Sequence, residues 1–555
     1  MAEHRNNKWN NLLGSLNEGS NAWTRFYRLN RALIRKPLPS RPLKDASGNT
    51  IFDPKSKADL LADSLETQFR SPLGNVITDS LVHDKLTHQR TIPSTSTSFF
   101  SPAEVWNVIK SLPSRRAPGP DGISNCALKN CGRKTITYLC PIFNWCKRLN
   151  YFPLPWKHAT VITIPKPGKD LSNPVNHRPI SLLNTMSKVL EKLLLIRLKT
   201  HTSSKIRPDQ HGFRTSHSTS TQLLRVIDGI SLNLNLRKKT AEILLDVEKA
   251  FDKVWHDGLI SKLIDLAVPN DLIAIISSFL TDRSFHIKIE GKNSTTRRIL
   301  AGVPQGSCLA PHLFCLYIND MPAHPKCRTA LFADDTLFYA TSNSNDAATK
   351  LLQLQLNITE KWFHDWRITV NPLKTSAIMF SHRSTATSIQ PKLKNISIEW
   401  SHSMKYLGVH VDKKLNFSKH VTTAINKAKS VKHSLYPLLS SPSLTINTKC
   451  FIYKTYIRPI ATYASHIWAS NLSASSWSKL ERLQSTSLRQ ISDQPWFVNN
   501  KAIRHSTNIL PIMDHINQLT NSVKTQIINS PHNHISEIST RRPTSQLFTK
   551  RPINF

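Results

Sequence analysis

The sequence lacks the usual features of a membrane or secreted protein. No apolar run approaches the roughly 20 residues that are needed to span a bilayer. The N-terminus, MAEHRNNKWNN, has no apolar core of the kind that a signal peptide carries. We therefore expect a protein that is intracellular, is not secreted and makes no use of a membrane.

Several compact binding motifs are also missing. The 8 cysteines form no Cys-x-x-Cys pair and have no histidines at matching spacings, so we expect no zinc site and reduced thiols. The segment PKPGKD (165–170) is not a Walker loop, because it lacks the first glycine and the Ser/Thr that would hold magnesium. There is no internal repeat of 20–50 residues.

Acidic residues are scarce. The chain has 74 Lys and Arg against 36 Asp and Glu, a net charge of +38, and residues 401–555 alone have 20 basic against 5 acidic residues. Within this region a predicted helix carries Lys427, Lys429 and Lys432 beside apolar residues at 421, 425, 428, 431 and 435. A solvated face explains any one such helix, but a whole basic region favours a polyanionic partner, namely nucleic acid.

The length and composition predict a large folded protein. At about 150 residues per domain, 555 residues allow three to four domains, and 39% hydrophobic residues can form an extensive core. Residues 1–100 are polar and rich in proline, so we expect a partly helical extension with a helix near 56–70. The segment from Ser101 opens with a capping-box pattern that predicts a helix.

Two neighbouring aspartates interrupt apolar residues in TALFADDTLFYA (329–340). The apolar residues on either side predict two short strands with Asp334 and Asp335 at the bend. Since Asp is a common turn residue, an ordinary surface turn explains this pattern when it stands alone. A third acid, Asp246, also follows three apolar residues at the end of a predicted strand, 88 residues earlier.

If these strands are neighbours in one antiparallel sheet, Asp246, Asp334 and Asp335 meet at one edge. Carboxylates so close raise one another's pKa unless cations neutralise them. Oxygen ligands select Mg²⁺ or Mn²⁺. Two such ions, about 3.5 to 4 Å apart, can hold a phosphoryl group for in-line displacement.

The motifs in chain order resemble those of reverse transcriptases from non-LTR retrotransposons, especially the jockey-like elements. FADD (332–335) resembles the aromatic-x-Asp-Asp box, LLDVEKAFDKVW (244–255) the first carboxylate motif, and AGVPQGSCLAP (301–311) the nucleotide-contacting loop. Others are APGPDGI (117–123), ITIPKPGK (162–169), NHRPISLLN (176–184), QHGFR (210–214), NPLKTSAIMF (371–380) and KYLGVHVDKKLNF (405–417). The resemblance covers about residues 100–500, with departures at His177 and His211, where aromatic residues are common.

The resemblance implies a role for each matching residue. Asp246 and Asp334 would be the principal ligands of two Mg²⁺ or Mn²⁺ ions, with Asp335 beside them. Phe251 would be the aromatic steric gate that excludes a ribose 2′-hydroxyl, although without the motif ordinary core packing would be the favoured explanation of such a residue. The incoming nucleotide would be contacted by five further residues: Lys166, Arg178, Gln305, Gly306 and Lys374.

The implied fold is an α+β right-hand polymerase with an antiparallel palm sheet backed by helices. Its predicted parts are an N-terminal extension (1–100), fingers (101–240), palm (241–415), a basic helical thumb (416–500) and a C-terminal tail (501–555). The implied reaction is RNA-directed DNA synthesis, with an RNA template, a DNA primer and dNTPs as partners.

Two other classes of protein remain possible on the sequence. One is a catalytically silent nucleic-acid-binding relic of a mobile element, and the other is a different palm-fold enzyme such as a nucleotide cyclase. Since residues 1–100 cannot contain an endonuclease, we expect the polymerase portion of a truncated or split element with a separate endonuclease domain or protein. The resemblance also implies a nuclear location at the integration step.

Overall fold

The computed structural model describes residues 2–14, 27, 29, 41–91, 99–166, 168–382, 389–540 and 551–553. In these ranges the chain is a mixture of helices and β-sheets, as predicted. No helix of the described residues combines the length and the apolar character that crossing a bilayer demands.

The central sheet has four antiparallel strands: β1 (Lys239–Leu245), β2 (Cys327–Phe332), β3 (Asp335–Ser342) and β4 (Ser376–Phe380). Their order across the sheet is β4-β1-β3-β2. Most residues of these strands are buried, including the polar Thr240 and Glu242 of β1, so both faces of the sheet are covered. Ile243 on one face and Leu337 on the other belong to separate hydrophobic clusters.

Helices cover both faces of this sheet, whereas the prediction only placed helices behind it. Helix Asn345–Asp365 packs in the first cluster, through residues such as Leu352. Helix Thr219–Asn235 and helix Ser418–Ser434 pack in the second. The central sheet is therefore a buried layer between two helical layers, and function can reside only at its edges and strand ends.

A second sheet combines strands from both sides of residue 240, the predicted division between fingers and palm. Strand His158–Pro165 pairs antiparallel with His177–Leu182 and parallel with Arg283–Ile289, which also pairs with Lys292–Asn293 and Arg297–Ile299. Helix Pro54–Gln68 packs on this sheet. Short strand pairs also form between Leu43–Lys44 and Thr50–Ile51, Lys392–Leu393 and Ile396–Ser397, and Ser403–Tyr406 and Val409–Asp412.

Some of the helices before β1 begin at a residue whose side chain caps them, whereas Arg133–Arg148 and Thr185–Thr202 have no side-chain cap. Asp53 accepts a hydrogen bond from the amide of Ser56, and Ser101 forms the predicted capping box with Glu104. The N-terminal region holds more helix than the single one predicted. The helices before β1 whose bounds lie in the described ranges are Ala2–Gly14, Pro54–Gln68, Val76–Thr91, Pro102–Ser111, Asn125–Lys129, Arg133–Arg148, Leu154–Lys157, the 3₁₀ turn Pro174–Asn176, Thr185–Thr202 and Thr219–Asn235.

Every described secondary-structure element after Asp412 is a helix, and the sequence predicted a helical region from residue 416. On helix Ser418–Ser434, Val421, Ile425 and Ala428 are buried while Lys427 and Lys429 are exposed. The remaining helices after β1 are His256–Asp265, Asn270–Leu280, Ala310–Tyr317, Asn345–Asp365, Tyr436–Leu439, Ile446–Ile452, the π-helix Tyr453–Ile457, Arg458–Ala461, Ser465–Trp468, the 3₁₀ turn Ala469–Asn471, Ala474–Ser492, Asn500–Thr507, Ile512–Ile528 and Asn533–Thr540.

Candidate active site

The turn between β2 and β3 presents the aspartate pair. β2 ends at Phe332, Ala333 and Asp334 form the turn, and Asp335 is already the first residue of β3. Ala333 has a φ of 57°, a left-handed conformation that a non-glycine residue adopts only when its surroundings hold it there. The predicted bend is therefore correct, except that Asp335 belongs to the strand.

Asp246 lies beside this turn. It follows Leu245, the last residue of β1, which pairs with Thr336 in β3. Since the strands are antiparallel, continuing this register by one residue brings Asp246 opposite Asp335, and neighbouring strands lie only about 5 Å apart. The structure thus brings the three predicted acids to one end of the central sheet, which was the geometric condition for the sequence-based prediction.

The acids perturb one another electrostatically. Removal from water and the charges of Asp334 and Asp246 raise the pKa of Asp335 to about 6. The pKa of Asp334 is also raised, first by loss of solvation and then by Asp246, while Arg178 acts in the opposite direction. A bound cation would relieve this repulsion, so the site favours positive charge.

Three predicted cations surround the acids. The Nζ of Lys374 lies 3.7 Å from Oδ2 of Asp246. Arg178 follows the start of the second-sheet strand His177–Leu182, is exposed, and influences the charge of Asp334. The pKa of Lys166 is lowered by burial and by the charges of Lys374 and Arg178, and the charge of Asp246 raises it. These four charged groups are therefore close enough to interact electrostatically.

The predicted nucleotide-contacting loop is anchored to the second sheet. The amide of Ser181 donates a 2.7 Å hydrogen bond to the carbonyl of Gln305. Gly306 has a φ of +127°, and a Cβ at this position would lie 2.4 Å from the carbonyl oxygen of Ser181. Only glycine can make this approach, so Gly306 has a backbone role that is independent of any contact with a nucleotide.

Phe251 is a partly buried ring between two other aromatic rings. It stacks on the buried Phe314 with a centroid distance of 4.6 Å and meets the exposed Phe213 edge-on at 6.0 Å. Its carbonyl accepts a 2.7 Å hydrogen bond from the amide of Val303, close to the Gln305 loop. Both interpretations of Phe251, core packing and contact with a sugar, are compatible with this position.

The segment containing Gln210 and Gly212 supports the aspartate turn, a role that the sequence reasoning missed. The side-chain carbonyl of Gln210 accepts hydrogen bonds from the amides of Gly212 (2.7 Å) and Ala333 (3.1 Å). A Cβ on Gly212 would lie 2.3 Å from the backbone nitrogen of Ala333. Although QHGFR was singled out as a motif, nothing in it indicates that it contacts a turn 120 residues away in the chain.

Two buried acids that the sequence reasoning also missed hold the nucleotide-contacting loop. Asp252, 3% exposed, accepts hydrogen bonds from Nε2 of Gln305 (2.9 Å) and Nε2 of Gln68 (2.6 Å), and burial raises its pKa to about 6. Glu191 accepts hydrogen bonds from the hydroxyl of Ser307 and the amide of Cys308, both at 2.6 Å. The sequence did contain a sign of the role of Glu191, because a charged residue on the apolar face of a predicted helix must have a buried partner.

The donor set at the sheet end fits a divalent cation. Carboxylate oxygens are among the ligands that Mg²⁺ and Mn²⁺ prefer. The three aspartates at the sheet end supply such oxygens, and their negative charges repel one another. They are nevertheless less tightly gathered than a closed metal cage. Within the described ranges, the only group of three or more potential ligands with all ligand atoms within 4.8 Å of one another is a histidine cluster elsewhere.

This acid edge with its cations and anchored loop lies within a stretch that matches a known family. Residues 164–411 match the family model described as reverse transcriptase (RNA-dependent DNA polymerase). The chain therefore carries a reverse transcriptase domain, and β1 to β4 with their acids all lie inside it.

Similarity extends over most of the chain. It is 33% identical over 549 residues to the probable RNA-directed DNA polymerase from transposon X-element of Drosophila melanogaster, covering 96% of this chain and 59% of the relative. It is 31% identical over 543 residues to the RNA-directed DNA polymerase from mobile element jockey of the same species, covering 94% of this chain and 58% of the relative. The resemblance to jockey-like non-LTR retrotransposon reverse transcriptases is confirmed, and the chain spans just under three fifths of these relatives' length.

Proposed function

We propose that this chain is an RNA-directed DNA polymerase that extends a DNA primer along an RNA template. The observation that carries the proposal is the meeting of Asp246, Asp334 and Asp335 at one end of the central sheet, inside a reverse transcriptase domain. The names of the relatives, RNA-directed DNA polymerases of mobile elements, support the same reaction.

In this proposal Asp246 and Asp334 are the principal ligands of two Mg²⁺ or Mn²⁺ ions, and Asp335 assists them. When bound, such ions activate the primer 3′-hydroxyl and neutralise charge on the phosphates. The protein's own part is positional. β1 and β3 are paired along Lys239–Leu245, so the acids on either strand keep a constant separation.

The cations around the acids bind the triphosphate of a dNTP. Arg178 offers a planar fork that suits phosphate oxygens, and Lys166 supplies a second charge from the neighbouring strand end. In this proposal Lys374 protonates the departing pyrophosphate, and its Nζ lies 3.7 Å from Oδ2 of Asp246. The three acids neutralise only part of the positive charge of these cations. The negative charge of the triphosphate would neutralise the rest.

Selection of the nucleotide falls to Phe251, Gln305 and Gly306. The ring of Phe251 is supported from below by Phe314, so it can resist displacement by a 2′-hydroxyl. Gln305 donates from its side chain to Asp252 and accepts from the amide of Ser181, and both hydrogen bonds restrain the loop that would contact the template base and incoming nucleotide. Rigid support is what such a discriminating contact requires.

The proposed right-hand arrangement assigns residues 101–240 to fingers, 241–415 to palm and 416–500 to thumb. The exposed lysines of helix Ser418–Ser434 support a thumb that contacts the nucleic-acid backbone. Such binding would tolerate any sequence and weaken steeply with salt. From the resemblance alone we also propose a separate endonuclease and a nuclear integration step.

Primer extension tests the polymerase proposal directly. The protein, an RNA template annealed to a DNA primer, dNTPs and Mg²⁺ should give extended DNA, whereas Asp334→Asn should give only background. Asp514→Asn is the matched control, because Asp514 is an exposed aspartate at the start of helix Ile512–Ile528, far along the chain from the acid edge. Equal incorporation by wild type and Asp334→Asn would refute the proposed chemistry. Binding of the hybrid without extension by wild type would indicate a silent relic.

A further inference from the structure

Three histidines form a cluster that includes His211, which lies between Gln210 and Gly212 in the segment that supports the aspartate turn. His211 and His217 lie just before helix Thr219–Asn235, and His534 lies on helix Asn533–Thr540. Their ligand nitrogens are all within 4.8 Å of one another, and the Nε2 atoms of His217 and His534 are 2.9 Å apart. The cluster thus joins two segments that are more than 300 residues apart in sequence.

The hydrogen bonds around two of these rings determine which nitrogen carries the proton. Nδ1 of His217 lies 2.8 Å from the carbonyl of Thr215, which can only accept, so Nδ1 carries the proton of the neutral ring and Nε2 has the lone pair. Nδ1 of His211 lies 3.2 Å from the hydroxyl of Thr221, which already donates to the carbonyl of Ser218. That hydroxyl therefore accepts from His211, and Nε2 of His211 also keeps its lone pair.

His211 itself is almost fully buried, with 1% of its surface exposed. Its Nε2 atom has no hydrogen-bond partner among the described residues, although a buried polar atom of this kind normally has one. Metal-binding histidines characteristically use one ring nitrogen for the metal and the other for a hydrogen bond to a carbonyl or hydroxyl. His211 and His217 both show this division of roles.

We propose that His211, His217 and His534 bind one Zn²⁺ ion through their Nε2 atoms, with a structural role separate from polymerisation. Imidazole nitrogens suit Zn²⁺ and not Mg²⁺, which prefers oxygen ligands. A tetrahedral Zn²⁺ ion has Zn–N distances of about 2.0–2.1 Å. The Nε2 atoms of His217 and His534 are 2.9 Å apart, and one ligand nitrogen of each of the three rings lies within 4.8 Å of the others, so side-chain rotation would bring all three rings to one ion.

The charge state of the cluster suits a cation. Burial lowers the pKa of His211 to about 2 and those of His217 and His534 to about 4, so the rings are neutral at neutral pH, as metal ligands must be. Two arginines lie nearby: Arg225 forms an ion pair with Asp209, whereas Arg214 donates hydrogen bonds only to the carbonyls of Arg207 and Gln210 among the described residues, so a bound ion must outweigh the repulsion of Arg214. A fourth ring, His532, has its centroid 4.5 Å from that of His217.

The ion would connect the C-terminal helices to the aspartate turn. The amide of His211 donates a 3.0 Å hydrogen bond to the carbonyl of Leu331 in β2, and the preceding residue, Gln210, holds Ala333. Bound Zn²⁺ would therefore restrain the segment 209–217 from one side while the central sheet restrains it from the other. Amide exchange in this segment should slow when Zn²⁺ is added to metal-free protein.

The alternative is a hydrogen-bonded histidine cluster without a metal. His534 could donate from Nε2 to His217, which accounts for their 2.9 Å separation. It would leave Nε2 of the buried His211 without a partner. A metal accounts for all three nitrogens, and the two cases differ in metal content.

The test uses the full chain without a polyhistidine tag. After dialysis in Mg²⁺ buffer, elemental analysis should find about one zinc per chain. Adding Zn²⁺ to chelator-stripped protein should raise the melting temperature, because a ligand that binds only the folded state stabilises it. Replacement by Co²⁺ should give the absorption of a nitrogen-ligated tetrahedral ion. None of these measurements depends on polymerase activity, so failure here and failure of the proposed function can be told apart.

Variants assign the ligands. His217→Gln and His534→Gln should each lower zinc content to a small fraction of one per chain and abolish the rise in melting temperature. His505→Gln is the matched control, because His505 is an exposed histidine on the C-terminal helix Asn500–Thr507 and should leave both unchanged. Folded wild-type protein with no zinc and no response to added Zn²⁺ would overturn the proposal. Full zinc retention in both ligand variants would overturn it equally.

Discussion

Replacing Gly212 by alanine should disable the site without touching any acid. The added Cβ would lie 2.3 Å from the backbone nitrogen of Ala333 and 3.0 Å from the carbonyl carbon of Phe332. Both are backbone atoms, so no side-chain rotation can relieve the contact. The turn must move by about 0.7 Å merely to reach 3.0 Å, a distance that is itself tighter than most real Cβ contacts.

The size of the effect follows from the position of the turn. Ala333 immediately precedes Asp334, so its displacement is transmitted directly to the acid pair. A misplacement of about 1 Å in a catalytic group can cost roughly 100-fold in rate. We expect Gly212→Ala to lower kcat/KM for primer extension by roughly 10- to 100-fold, which corresponds to about 1.4–2.7 kcal/mol of transition-state stabilisation.

The assay is steady-state primer extension on an RNA template, with the melting temperature measured in parallel. Gly132→Ala is the control, because a Cβ at Gly132 meets nothing within 4 Å. A folded Gly212→Ala protein with wild-type kcat/KM would refute the argument that this glycine positions the acids. Loss of activity together with general unfolding would be distinguished by the melting temperature.

Three further predictions concern the ring, the acid pair and the loop. Phe251→Val should increase ribonucleotide incorporation, measured with rNTPs in primer extension, and Phe314→Leu, which weakens the support of the Phe251 ring, should increase it to a smaller extent. In metal-free buffer, the pKa of Asp335 is raised from 3.8 to about 6, so its ionised form destabilises the folded state above about pH 6. Asp335→Asn should therefore raise the melting temperature at pH 8, and this gain should disappear as the pH falls towards 4. An equal gain at both pH values would contradict a raised pKa of Asp335. Glu191→Gln removes a carboxylate oxygen, and the hydroxyl of Ser307 and the amide of Cys308 both donate to this carboxylate. The substitution should lower the free energy of unfolding by about 2 kcal/mol and should raise KM for dNTP. An unchanged denaturation midpoint would show that this support is dispensable.

Local sequence was sufficient to predict much of the candidate site. Apolar runs ending in Asp246 and in Asp334 predicted two strands, and the structure has both, with the acids at the ends of β1 and of the β2–β3 turn. The helix that begins after Ser101 was also predictable, because a capping box is a property of four consecutive residues. Such features depend on neighbours in the chain, so the sequence contains them completely.

Only the tertiary structure decided the contacts between segments that are far apart in the chain. The central position of β1 between β3 and β4, the approach of Gly212 to Ala333 and the burial of Glu191 against Ser307 all depend on how helices and sheets pack. The absence of paired cysteines predicted no zinc site, yet His211, His217 and His534 meet because a C-terminal helix folds back onto helix Thr219–Asn235. No local spacing could reveal that cluster, since the distance between its members in the chain bears no relation to their distance in space.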